Sequence, residues 1–212
     1  MRLSNRKSLF VLFALATILA TGLPARSQGD AGREVVQELV TLFSAWSDQR
    51  AGRPIFAAAA RHIDYGTMAE LSFTPAQWDG FTSAQKRDLI ESFQKLVEDR
   101  YYMRWHKLFL RSRLTIASEA KAGGDTYVRT FLTHGKDEDT VIWRLRPRNG
   151  DPMVISLDVN GKDLINRLSE RFQKQLKKHG ANGLVVWLKK EAEELEEAED
   201  TPANLRRSAS SN

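Results

Sequence analysis

From Arg113 to Val159 the apolar residues recur at every second position, whereas before and after that stretch they recur every three to four. Side chains alternate across a strand but return to one face of a helix every 3.6 residues, so this switch of period dictates helices, then strands, then helices. The period-two segments centre on Leu114 and Ile116, on Val128 and Thr130, on Val141, Trp143 and Leu145, and on Val154 through Val159. Between them stand Gly123 and Gly124, then Gly135, then Asn149 and Gly150, residues that accept the positive φ of tight hairpin turns. Four strands in an antiparallel meander are predicted.

Ahead of the strands, Asp30 can cap a helix with an apolar stripe at Val35, Leu39, Leu42 and Trp46, widened by Val36, Val40 and Phe43. A break at Ala51 to Pro54 leads to a second helical stretch from Ile55 to Leu71. Two capping boxes follow, Thr74 with Pro75 and Gln77, and Thr82 with Gln85. The second opens a long helix whose stripe is Leu89, Phe93, Leu96, Val97, Tyr101 and Trp105. After Gly161 the helical period returns at Ile165, Leu168, Phe172 and Leu176. Gly180 is placed to end that helix and Asn182 to cap the last, which holds Leu184, Val185, Trp187 and Leu188. The fold class is therefore α+β: a curved antiparallel four-stranded sheet packed against several helices, with room between them for an apolar cavity. The inward positions of the sheet are Val128, Val141, Trp143, Leu145 and Val154.

Residues 1–27 read as a secretory signal: Arg2, Arg6 and Lys7, then an apolar run from Leu9 to Leu23, then small residues at Ala25 and Ser27. Cleavage is expected after Ser27, with Ala25 the near alternative. An uncleaved anchor is the rival, but a spanning helix needs about 20 apolar residues. Of the 32 basic residues, four lie in this signal (Arg2, Arg6, Lys7, Arg26), and the remaining 28 nearly balance the 27 acidic ones. The overall charge of +5 is thus largely the signal's, and no nucleic-acid partner is expected. Residues 28–200 form one domain, large enough to fold without the cysteines the chain lacks. Residues 201–212 read as a disordered polar tail.

Two marks of covalent acyl chemistry are missing: there is no cysteine and no GxSxG elbow. His62, His106, His134 and His179 are widely separated and form no metal-binding pair, so neither metal nor cofactor is expected. The run Asp137, Glu138 and Asp139 lacks the frame of a calcium loop and reads as a solvated turn. Arg144, Arg146 and Arg148 share one face of a strand, as a charged solvent face or else a docking patch. On periodicity alone Trp78, Tyr101, Tyr102, Trp143 and Phe172 are ordinary core.

The order of landmarks resembles the MlaC family of periplasmic phospholipid-binding proteins, also called the toluene-tolerance family. Asp64, Tyr65, Met68 and Ala69 resemble its D-F/Y-xx-M/I-A stretch, and Trp78 precedes the helix start at Thr82 and Gln85 as in the family. Phe93, Leu96 and Tyr101 match its F-xx-L and Y. Tyr127, Val128 and Thr130, then Val141 and Trp143, match its strands. Gly161, Leu164, Ile165, Asn166, Phe172, Gly180, Leu184 and Leu188 match its final block. The chain departs at Pro152, Ser156 and Asp163, where the family commonly has Trp, Asp and Ser.

The resemblance implies a non-enzymatic periplasmic carrier that binds a phospholipid by its acyl chains and moves it between an inner-membrane ABC transporter complex and an outer-membrane lipoprotein complex. It implies pocket-lining roles for Tyr65, Trp78, Leu89, Phe93, Val128, Trp143, Val154 and Phe172. The alternatives are an exported interaction module without lipid, or an enzyme using an inward acid such as Asp64, a residue whose simpler role is a structural hydrogen-bonding carboxylate. On export, fractionation of expressing cells should recover a periplasmic chain beginning at Gln28, read by intact mass. A full-length product in the membrane fraction would contradict the signal assignment.

Overall fold

The computed structural model describes residues 30–45 and 52–200. The signal segment 1–27, Trp46, Ala51 and the tail 201–212 lie outside the described residues. The chain runs α1 (Ala31–Ala45), α2 (Gly52–Ala59), a 3₁₀ turn (Ala60–His62), α3 (Tyr65–Leu71), α4 (Pro75–Gly80) and α5 (Ser83–Val97). A π-helical turn (Glu98–Tyr102) joins α5 to α6 (Met103–Leu110). Then come β1 (Arg113–Ala122), β2 (Asp125–His134), β3 (Asp137–Arg148), β4 (Asp151–Val159), β5 (Lys162–Asp163) and α7 (Leu164–Asp200). The architecture is α+β, an open antiparallel sheet in the order β1-β2-β3-β4-β5 packed against helices.

The sheet has five strands where four were expected. Asn160 and Gly161, at φ 54° and 76°, fold the chain back tightly enough for Lys162 and Asp163 to pair with β4. Asn149 and Gly150, at φ 53° and 93°, make the same kind of turn between β3 and β4. The register sets Val128 opposite Trp143, Trp143 opposite Leu157, and Leu145 opposite Val154. All five expected inward residues are buried. The Trp143 indole donates to Thr130 Oγ1 (3.1 Å), and Thr130 Oγ1 donates to the Val141 carbonyl (3.2 Å), so the buried N–H is satisfied.

A register shift across from Arg144 and Leu145 leaves Ile155 as an extra residue in β4, and Val154 through Leu157 are all buried. The second side of β4 is covered by the segment that was expected to be one helix from Ile55 to Leu71. That helix breaks at Ile63, which is extended (φ −120°, ψ 126°) and bridges Val154, while Asp64 N–H donates to the Val154 carbonyl (3.0 Å). Asp64 then caps α3, accepting from Thr67 N–H at 3.0 Å. Of the expected break at Ala51 to Pro54, Gly52 to Pro54 are helical instead, because α2 begins at Gly52 with Pro54 in its first turn.

Both capping boxes form as expected, with reciprocal bonds between Thr74 and Gln77 and between Thr82 and Gln85. The long helix differs in one respect. Its apolar residues fall at Leu89, Phe93, Val97, Tyr101, Trp105 and Phe109, five successive steps of four. In an unbroken α-helix these steps would rotate the stripe by about 200°. The π turn holds more residues per turn and takes back part of that drift, which leaves all six side chains buried.

The helices after the sheet run on as α7, kinked at Gly180 (φ 65°, ψ −174°), a conformation that disfavours any side chain. Asn182, expected as a cap, lies within the helical run, and its side-chain oxygen accepts from Gln85 Nε2 at 2.7 Å. At the start of α7 the family's Asp and Ser stand exchanged. Ser156 Oγ donates to Asp163 Oδ2 (2.5 Å), and Asp163 Oδ1 accepts from Asn166 N–H (2.9 Å), so this pair links β4 to the start of α7.

Asp125, 2% exposed, opens β2 and lies between two of the three strand arginines. Arg144 Nε and Arg146 Nε each reach it at 2.7 Å. Burial alone would raise its pKa, but the hydrogen bonds and charges of Arg146 and Arg144 hold the carboxyl below its ordinary range.

Two outcomes are expected. Ser156→Asp and Asp163→Ser should each cost about 2 kcal/mol in urea unfolding, while the double exchange should recover most of the loss; additive losses would refute the pairing. Asp125→Asn should cost about 2 kcal/mol at neutral pH. Because the folded pKa is depressed, this contribution is present above the ordinary carboxylate value of about 3.9 and disappears as the pH falls through the folded value. The wild-type and variant melting temperatures should therefore converge in acid.

Candidate functional site

Seven of the eight residues assigned to the pocket from the family resemblance lie in one contiguous apolar core between the sheet and the helices. Tyr65, Leu89, Phe93, Val128, Trp143, Val154 and Phe172 are each at most 6% exposed. Trp78 is half-buried and lines a shallow depression of about 400 Å³ together with Asp64, Thr67 and Ile90. The aromatic members fall in two groups. Phe172 stacks on Phe73 at 5.6 Å and meets Phe93 and Trp187 edge-on, with Trp78 beside Phe73. Trp143 stacks on Phe109 at 5.7 Å, and Phe43 joins Phe109 to Tyr102 and Trp105.

A polar network crosses this core on the π turn. The Tyr65 and Tyr102 hydroxyls hydrogen-bond to each other. Tyr65 also donates to Glu98 Oε1 (3.3 Å), which accepts from Gln94 Nε2 at 2.8 Å. Burial raises the pKa of both phenols, and the nearby Glu98 charge raises them further. Burial raises Glu98 as well, against the opposing hydrogen bonds from Gln94 and Tyr65.

A cleft lies at one end of the sheet. Tyr101, Trp105 and Leu108 from the π turn and α6 face Leu157 and Val159 of β4 and Leu164 of α7 across a cleft of about 340 Å³ with a largely apolar lining. Asn160, Arg104, Lys162 and Arg167 complete its wall. Leu157 of its lining is the cross-strand partner of Trp143. Sequence reasoning placed Tyr101 and Trp105 on a helical stripe but assigned no pocket role to Leu108, Leu157, Val159 or Leu164. The steps of four that locate the π turn are the signal that could have found this corner.

The remaining charged candidates have structural partners. Asp64 accepts from Thr67 N–H and Oγ1 and from Arg148 Nη1 (3.1 Å), as expected of a structural carboxylate. The arginine face is therefore not simply solvated: Arg144 and Arg146 hold Asp125, and Arg148 holds Asp64. Asp137 and Glu138 open β3 rather than a turn. A larger cleft of about 730 Å³, between α1 and the β3–β4 turn, has a mixed lining that includes Glu34, Glu38, Arg61, His62 and Asp151.

No curated protein sequence matches this chain. Among solved structures, the phospholipid-binding protein from Ralstonia solanacearum, determined in complex with a phospholipid, shares the fold. Its TM-score is 0.68 at 14% identity, covering 79% of this chain and 97% of that one. The profile of the MlaC protein family matches residues 33–190, from early in α1 to beyond the kink of α7. The chain belongs to the MlaC family.

Proposed function

We propose that this protein is a periplasmic phospholipid carrier that takes acyl chains between sheet and helices through the cleft bounded by Trp105, Leu157 and Leu164. Its route runs between an inner-membrane ABC transporter complex and an outer-membrane lipoprotein complex. The observation that carries the reading is an apolar cleft lined by Leu157, the cross-strand partner of Trp143, in a chain of the MlaC family. The phospholipid held by the Ralstonia protein of the same fold adds support.

The energetics explain why a carrier is needed. Each buried CH₂ is worth about 0.8 kcal/mol, so two chains of about 16 carbons would cost on the order of 25 kcal/mol in water. A protein surface that buries the chains removes that barrier and needs no catalytic group.

Size decides how the chains fit. A methylene takes up about the volume of a water molecule, ~30 Å³, so two such chains need roughly 900 Å³, and the cleft holds about 340 Å³. Loading therefore widens the seam. The sheet residues Val128, Trp143 and Val154 become one wall, and Tyr65, Leu89, Phe93 and Phe172 the other, with Trp78 at the outer edge of the helical cluster. Both walls are apolar, so contacts between them are replaced by contacts with lipid of the same chemistry.

Protein purified without detergent should carry glycerophospholipid, detected by native mass spectrometry and by extraction after denaturation. Leu108→Trp fills the half-buried cleft wall and should cut bound lipid several-fold while shifting the melting temperature by no more than about 4 °C. Wild-type protein free of lipid, from cells and after incubation with vesicles, would favour the interaction-module reading.

A further inference from the structure

The same cleft carries a charge pattern that identifies the headgroup it accepts. Arg104 of α6, Lys162 of β5 and Arg167 of α7 come from three separate elements, are all exposed, and line one opening. No acidic residue lines it. Three carboxylates nearby have donors of their own: Asp158 accepts from Gly161 N–H, Asp163 from Ser156 and Asn166, and Asp139 from Asn160 Nδ2.

Several cations elsewhere are matched. Arg144 and Arg146 pair with Asp125, Arg148 with Asp64, Arg100 and Arg171 with Glu191, and Lys189 with Asp88. Among the described residues Arg104, Lys162 and Arg167 make no ion pair, and the Arg104 guanidinium lies 5.7 Å from the centre of the Tyr101 ring, at the edge of the apolar wall.

Resting on the carrier reading above, we propose that this rim selects phospholipids whose headgroup carries net negative charge. An acyl chain lying along Trp105, Leu157 and Leu164 brings its glycerophosphate to the mouth, where three cations from three elements surround it. A zwitterionic headgroup offers the same phosphate but adds a cation of its own, which these side chains repel. The exposed rim makes the preference sensitive to salt.

The test uses the mature chain, freed of lipid and incubated with vesicles of equal parts phosphatidylglycerol and phosphatidylcholine. After re-isolation, bound lipid is measured by mass spectrometry. Both lipids share one vesicle surface, so the bound ratio reports the cleft and not attraction to the membrane. The wild type should hold phosphatidylglycerol in excess on the order of tenfold, falling at high salt. Arg104→Gln/Lys162→Gln/Arg167→Gln should bring the ratio within about twofold of the vesicle's while still taking up lipid. Arg104→Lys/Lys162→Arg/Arg167→Lys should keep the preference, and the melting temperatures of both variants check their folding. Equal uptake by the wild type, or a preference that survives neutralisation of the rim, overturns the proposal and leaves the carrier standing. If neither lipid binds, both readings are overturned.

Discussion

Everything in this fold depends on how one face of an open sheet is covered. The inner faces of β2, β3 and β4 present Val128, Leu132, Val141, Trp143, Leu145 and Leu157, and the helices meet them with Phe43, Phe109 and other apolar side chains. Contacts of this kind are non-directional, and their strength follows buried area. The directional bonds between sheet and helical segments lie at the margins: Ile63 and Asp64 on Val154, Ser156 on Asp163, Arg148 on Asp64. The result is a hydrogen-bonded frame around a seam with no fixed bonding pattern.

The exception is the group formed by Tyr65, Tyr102, Glu98 and Gln94. A half-buried carboxyl is expensive unless it is hydrogen-bonded, and here Glu98 accepts from two donors while burial still raises its pKa. Such a network fixes one arrangement of the helices, because any other leaves a phenol or carboxyl unsatisfied. It ties α3 to the π turn, the same turn that supplies Tyr101 to the cleft. The cleft wall is thus held in register by polar bonds behind it, while its own surface stays apolar.

Local chemistry was legible in the sequence, and long-range chemistry was not. The hairpins at Gly123–Gly124 and Asn149–Gly150 and the capping boxes at Thr74 and Thr82 depend on residues at most three apart, and they form as read. The break at Ile63 depends on Val154, and the Asp125 clamp on Arg144 and Arg146, partners that only the folded topology brings near. The pocket assignment meets a different limit. Core and lipid-facing positions are chosen by the same requirement, an apolar side chain pointing inward, so periodicity marks Val128 and Phe172 without separating the two roles. The cleft itself gathers residues from α6, β4, β5 and α7, and no single stretch of sequence carries its pattern.

The departures from the family pattern make the same point at the level of pairs. Ser156 and Asp163 each differ from what the family commonly has, and judged singly each would weaken the start of α7. Together they make one hydrogen bond, Ser156 the donor and Asp163 the acceptor. Pro152 stands opposite Pro147, two residues into β4 and next to the β3–β4 turn. Neither proline has an N–H to give the ladder, so facing one another they occupy a position where no ladder bond is required of either. In both cases the residue at one position makes sense only beside the residue across from it.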